Sequence, residues 1–107
     1  MNPTRIYIAG KVTGEYYRTA WAKFFTAQRY LESQGYVVIN PLQLCDEKFT
    51  WEQAMTTCIP AMMECGAIYL LPDWQFSQGA VLEAQIAKKL GLEIINSEKI
   101  LLQKEIE

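Results

Sequence analysis

The sequence predicts a small doubly wound α/β domain, in which helices cover both faces of a parallel sheet of about four strands. Short runs of β-branched and aromatic residues alternate with segments whose apolar residues recur at helical spacing. This alternation is typical of βαβ units, because neighbouring parallel strands need a long crossover connection. The chain has 107 residues, a length typical of one domain, so residues 1–107 are predicted to fold as a single unit.

Four apolar runs are the predicted strands. They are residues 5–9, 36–39, 67–71 and 92–95, and Gly, Asn or Pro follows or precedes most of them. Helices are predicted between them. The first covers about residues 17–34 and ends at Gly35, the second begins after Thr50, and the third runs from Ser77 to about residue 90, where Gly91 closes it.

Two further features of the helices are predicted. Pro60 falls inside the second helix, which is therefore expected to be kinked or split into two short helices. The tail from Ser97 is predicted to be helical, with Ile100, Leu101 and Ile106 available for packing.

Composition excludes several classes of function. The chain contains no histidine, so neither a Ser-His-Asp nor a Cys-His apparatus can operate, and no histidine-containing zinc site can form. Ten basic and twelve acidic residues give a net charge of −2, which does not favour binding to the phosphates of duplex nucleic acid. No signal-peptide layout and no membrane-spanning apolar run is found, so a cytoplasmic protein with no membrane partner is expected. No cofactor and no metal is predicted.

The cysteines are interpreted as reduced thiols. Cys45, Cys58 and Cys65 include no Cys-x-x-Cys pair. Cys58 and Cys65 are placed on one helix two turns apart, roughly 10 Å, which is beyond disulfide reach. Cys58 has no neighbouring base and is interpreted as a packing residue on an apolar helix face.

Glu83 is the strongest candidate for a functional residue. On a helical projection it falls on the apolar side of the third helix, opposite Gln85, Lys88 and Lys89. A carboxylate there is costly unless it is paired, neutralised or used in chemistry. The alternative is that Glu83 lies at the edge of the sheet and reaches water.

Two loops are predicted to face one cleft, because both follow the carboxyl ends of strands. In the loop 10–14, Gly10, Lys11 and Thr13 are candidate substrate-binding residues, and Lys11 and Thr13 could hold a phosphate or a sugar hydroxyl. The loop matches neither the P-loop pattern nor the dinucleotide-binding pattern G-x-G-x-x-G. The loop before the third helix offers further candidate binding residues, namely Asp73, Trp74, Ser77 and Gly79.

Each of these candidates has a plainer interpretation. Ser77 and Gly79 can form an anion site at the helix N-terminus, but a serine cap is common without a ligand. Trp74 could stack on a base or cover the site. Tyr7, on the first strand, is more often a core residue than a catalytic one, although its hydroxyl needs a partner when buried.

Three segments resemble the nucleoside 2-deoxyribosyltransferase superfamily, which includes the 2'-deoxynucleoside 5'-phosphate N-hydrolases. They are Ile6-Tyr7-Ile8-Ala9-Gly10, Cys65-Gly66-Ala67-Ile68 and Ser77-Gln78-Gly79-Ala80-x-x-Glu83. The resemblance spans residues 5 to about 95 and is greatest to short, often phage-borne members. It implies a flavodoxin-like (Rossmann-like) fold and cleavage of the N-glycosidic bond of a nucleoside or nucleotide.

The resemblance also implies roles for individual residues. Glu83 matches the nucleophile that attacks the anomeric carbon, Tyr7 matches the tyrosine that contacts it, and Ser77 matches a serine that binds 5'-phosphate. Members of the superfamily share active sites between subunits, so a homodimer or higher homo-oligomer is expected.

The sequence departs from the superfamily at two places. The catalytic Asp of the superfamily would fall at or near Cys58, where no carboxylate is present; the nearest acids, Glu52 and Glu64, lie on other turns. The phosphate loop is Lys11-Val12-Thr13 where the hydrolases have Ser and Arg. Three hypotheses therefore remain: an N-glycosidase or deoxyribosyltransferase, a pocket that binds a nucleotide derivative without turnover, and a structural module with an empty cleft.

Overall fold

The structure is a computed structural model that describes residues 2–97, and four parallel strands form its sheet. The strands are β1 (Asn2–Ala9), β2 (Val37–Ile39), β3 (Cys65–Leu70) and β4 (Glu93–Asn96). They lie in the order β2-β1-β3-β4, and every neighbouring pair is parallel. The predicted doubly wound α/β class is confirmed.

Helices cover both faces of this sheet. They are α1 (Tyr17–Ser33), α2 (Pro41–Leu44), α3 (Trp51–Met63) and α4 (Gln78–Leu90), and a short 3-10 turn covers Trp74–Phe76. Helix α1 packs on one face, whereas α3 and α4 pack on the other. Among the described residues, no helix is both long enough and apolar enough to cross a bilayer.

The two faces of the sheet are filled by alternate residues of the strands, as the pleat requires. On β1, Ile6 and Ile8 belong to the core under α1, while Tyr7 and Ala9 belong to the core under α3 and α4. All four are fully buried. Tyr7 is therefore directed toward α3 and α4.

The strand order places a switch point between β1 and β3. The chain leaves β1 for β2 on one side and leaves β3 for β4 on the other. The two connections diverge, which opens a crevice at the carboxyl ends of these strands. The backbones stay close there: the amide of Leu71 donates to the carbonyl of Ala9, and a Cβ on Gly10 would lie 2.6 Å from Leu71 Cδ1.

The sequence does not predict helix α2, because Asn40-Pro41 there indicates only the end of a strand. The same two residues begin the helix: the Asn40 side chain accepts from the Leu42 amide at 2.9 Å, and Pro41 occupies the first turn. Asn40 is buried and also donates to Gln28 of α1 at 3.0 Å. The helix thus depends on a contact with a distant segment, which a local pattern does not reveal.

Other boundaries differ from the predictions for local reasons. Strand β1 begins at Asn2, because the polar stretch before Arg5 pairs with the start of β3 through an irregular register. Helix α3 continues through Pro60 and is not split into two helices. Pro60 is exposed, so water can reach the carbonyl that proline leaves unpaired. Cys65 begins β3, and its predicted place on the helix with Cys58 is wrong. The predicted helical tail beyond Ser97 lies outside the described residues.

The N-terminus of α3 gives a test of the fold. The Thr50 hydroxyl accepts from the Gln53 amide at 3.1 Å and the Gln53 side chain accepts from the Thr50 amide at 2.9 Å, which forms a capping box. We expect Thr50→Ala to lower the free energy of unfolding by about 1 kcal/mol in urea denaturation. The matched control is Thr56→Ala on the same helix, because Thr56 is exposed and its hydroxyl contacts only carbonyls of the preceding turn. Equal losses in the two variants would contradict a stabilising cap.

Candidate functional site

A cleft of about 660 Å³ opens at the switch point. It is bounded by the loop after β1, by the segment from α2 into α3, and by the first turns of α4. Among the residues that line it are Tyr7, Cys58 and Glu83, which come from β1, α3 and α4 respectively. The volume lies within the range of about 300–1,000 Å³ typical of small-molecule sites.

The Tyr7–Glu83 pair is the central contact of the cleft. The Tyr7 hydroxyl donates to Glu83 Oε2 at 2.5 Å, and both side chains are buried, Glu83 with 6% of its surface exposed. The predicted position of Glu83 on the buried side of α4 is confirmed. Gln85, Lys88 and Lys89 lie on the exposed side of the helix, as the helical projection indicates.

Burial dominates the electrostatics of this pair. Desolvation raises the pKa of Glu83 to about 7, and the hydrogen bond from Tyr7 opposes that rise. The pKa of Tyr7 is raised well above its ordinary value, first by burial and then by the charge of Glu83. Tyr7 therefore remains a neutral donor, and Glu83 changes its protonation state close to neutral pH.

Two cysteines lie beside this pair. Cys58 of α3 interacts with the Tyr7 hydroxyl, and its Sγ lies 3.1 Å from Sγ of Cys45, the residue that ends α2. Burial, reinforced by the neighbouring Cys45 thiol, raises the pKa of Cys58 to about 12. All three cysteines are free thiols, and the approach of Cys45 to Cys58 was not anticipated from the sequence, because no motif marks it.

A lysine joins the two loops that border the crevice. Lys23 of α1 donates to the Lys11 carbonyl at 2.9 Å and to Glu15 at 2.8 Å, and it also bonds the Asp73 carboxylate. The other Asp73 oxygen accepts from the Lys11 amide at 3.0 Å. Lys11 and Asp73, both predicted to bind substrate, thus brace the loops and do not line the cleft. Sequence reasoning did not single out Lys23, since nothing local marks it.

Four other predicted binding residues line the cleft: Gly10, Thr13, Ser77 and Gly79. The Ser77 hydroxyl accepts from the Ala80 amide at 3.1 Å and caps α4, so the predicted cap is confirmed. A Cβ on Gly79 would lie 3.1 Å from Met55 Sδ and 3.3 Å from Trp51 Nε1. Glycine at this position therefore allows α3 and α4 to pack closely beside the cleft.

Aromatic side chains line the cleft, but Trp74 is not one of them. Trp74 packs against the core under α3 and α4. The lining aromatics other than Tyr7 are Tyr17, Phe49, Trp51 and Phe76. Three of these are large exposed hydrophobic residues, and Phe76 is 76% exposed. The sequence could indicate the aromatic residues but not which of them reach the cleft.

The charge of the lining is one-sided. Four carboxylates line the cleft, those of Glu15, Asp46, Glu47 and Glu83, and among residues 2–97 no lysine or arginine does. Within the same part of the chain, no group of three or more metal-ligating side chains comes together. The cleft therefore offers carboxylates and aromatic surface; one of the four carboxylates, Glu15, is paired with Lys23.

Burial of Glu83 makes stability depend on pH. The folded protein holds the Glu83 proton up to about pH 7, whereas the unfolded chain releases it near pH 4.5. Raising the pH between these values therefore destabilises the folded state, by about 3 kcal/mol in total. We expect Glu83→Gln to be about 3 kcal/mol more stable than the unsubstituted protein at pH 8 and little different at pH 4, by urea denaturation. Glu93→Gln, at an exposed position of β4, is the control, and an equal gain in it would refute the burial cost.

Comparison with known proteins yields a family assignment without an assigned activity. No curated protein and no solved structure matches the chain. Residues 4–96 match the family described as a domain of unknown function, DUF4406, and this span contains every residue that lines the cleft. The chain belongs to the DUF4406 family.

Proposed function

We propose that this protein cleaves the N-glycosidic bond of a nucleoside, with Glu83 as the nucleophile. The observation that carries the proposal is a buried carboxylate on the wall of a cleft of suitable size, held by the hydroxyl of Tyr7. The resemblance of Tyr7 and of the Ser77–Glu83 block to nucleoside 2-deoxyribosyltransferases supports the same chemistry.

The proposed reaction has two steps. The Glu83 carboxylate attacks the anomeric carbon, the bond to the base nitrogen breaks, and the base leaves with the bonding electrons, so that a glycosyl ester forms. Water or a second base then attacks the same carbon and releases the carboxylate. Desolvation favours attack, because the buried carboxylate has lost part of the hydration that would otherwise shield it.

Tyr7 has a positioning role in this scheme. Its hydroxyl binds Glu83 Oε2, which leaves the other oxygen of the carboxylate for the sugar. The hydrogen bond lowers the pKa of Glu83 relative to burial alone and so favours the ionised form that attacks.

The lining of the cleft favours an uncharged nucleoside over a nucleoside 5'-monophosphate. Aromatic side chains such as Trp51 and Phe76 offer surface for a planar base. A phosphate would meet several carboxylates and no lysine or arginine of residues 2–97. Of the side chains that the sequence predicts for phosphate binding, Thr13 and Ser77 line the cleft, but neither is charged and the Ser77 hydroxyl caps α4. The one cation among them, Lys11, lies outside the lining.

A second candidate function is binding of a nucleoside derivative without turnover. The observation that favours it is Cys58, which contacts Tyr7 from the helix where the resemblance leads us to expect a catalytic carboxylate. A thiol whose pKa is about 12 is a poor acid for assisting the departure of a base.

The experiment is a chromatographic assay of base release from a panel of nucleosides and their 5'-monophosphates, with and without a free base as acceptor. We expect release from nucleosides at least about tenfold faster than from monophosphates, because like charges repel. Glu83→Gln should lower release by about a thousandfold or more, with Glu93→Gln as the matched control. Full activity in Glu83→Gln would refute the mechanism. If no compound of the panel releases its base but some of them shift the melting temperature, the protein binds these compounds without turnover.

The dependence on pH provides a separate prediction. Because the ionised carboxylate attacks, kcat/KM should rise with pH and level off above about pH 7, the pKa of Glu83. Tyr7→Phe removes the hydrogen bond that stabilises the carboxylate, so the rise should move to higher pH. A profile that falls over the same range, or that is unchanged in Tyr7→Phe, would contradict the assigned roles.

A further inference from the structure

The Cys45–Cys58 pair in the wall of the cleft is not used by the proposed chemistry. The two sulfur atoms lie 3.1 Å apart, although the residues belong to different elements, the end of α2 and the middle of α3. A disulfide requires about 2.05 Å, so a shift of only about 1 Å separates the contact from a bond. Both residues line the cleft.

The two thiols differ in their surroundings. Cys45 is half-buried and open to the cleft, whereas Cys58 is buried with 3% of its surface exposed. Because an oxidant reaches the cleft from solvent, the more exposed thiol, Cys45, is expected to meet it first. Cys65, the first residue of β3, is fully buried at the opposite end of the strand from the cleft and provides an internal reference.

We propose that Cys45 and Cys58 are a reversible oxidation site at which hydrogen peroxide forms an intramolecular disulfide. Sulfur of Cys45 attacks one peroxide oxygen, the O–O bond breaks, and a sulfenic acid and one water result. Sulfur of Cys58 then attacks the sulfenic sulfur; the S–O bond breaks, and the Cys58 proton leaves with the hydroxide as a second water. Two thiols are oxidised and one peroxide is reduced to two waters.

The disulfide would affect the cleft in two ways. It would close a loop around the residues between Cys45 and Cys58, which include Phe49 and Trp51 of the lining. It would also remove the thiol proton of Cys58 beside the Tyr7 hydroxyl, the donor to Glu83. The formation of the disulfide itself does not depend on the proposed function, so the two can fail separately.

Peptide mapping of the peroxide-treated protein under non-reducing conditions tests the proposal. We expect a loss of 2 Da, a cross-link between the peptides of Cys45 and Cys58, and a fall in free thiols from three to one, all reversed by dithiothreitol. Cys65→Ser should form the same cross-link, while Cys45→Ser and Cys58→Ser should not. Retention of three thiols, oxidation of Cys45 beyond the sulfenic acid with Cys58 left free, or a cross-link only between chains would overturn the proposal.

Thermal unfolding gives a second measurement on the same samples. A disulfide that closes a loop of this length should raise the melting temperature by roughly 10 °C in the oxidised protein, and in oxidised Cys65→Ser as well. Peroxide should leave the melting temperature of Cys45→Ser without such a rise. A cross-linked protein that melts at or below the temperature of the reduced form would show that the native contact does not accommodate the bond.

Discussion

The hydrogen bond from Tyr7 to Glu83 is the contact on which the arrangement of the cleft depends. Burying a carboxylate costs free energy, and here the cost is reduced by one short hydrogen bond from a residue of the central strand. The bond fixes α4 against β1 at the switch point, and Cys58 of α3 contacts the same hydroxyl. Three elements therefore converge on one polar group within an otherwise apolar layer, which is where this fold places a ligand.

Polar contacts also join the two loops that border the cleft, the loop after β1 and the loop after β3. Lys23 connects the loop after β1 to Asp73 in the loop after β3, and the Leu71 amide continues the pairing of the two strands beyond their ends. These bonds hold both loops in place, and among the described residues Glu15 is the one lining residue that Lys23 engages.

The lining of the cleft combines carboxylates with aromatic side chains. Carboxylates such as Asp46 and Glu47 give the lining a negative charge, and exposed aromatic residues such as Trp51 provide flat apolar surface. Such a lining suits a planar, uncharged molecule with hydroxyl groups that can donate to carboxylates. The Cys45–Cys58 pair lies in the same wall, so a change in its redox state would alter the surroundings of Tyr7, the donor to Glu83.

The sequence by itself determined the four strands, the three longer helices and their order along the chain, because these follow from interactions within a few residues: the period of the apolar pattern, the Ser77 cap and the turn at Gly91. It also placed Glu83 on a buried face, since helical geometry fixes that face. Only the tertiary structure decided that Cys45 meets Cys58 and that Lys11 braces a loop. Such contacts join segments far apart in the chain, and no local pattern specifies how crossing elements bring their side chains together.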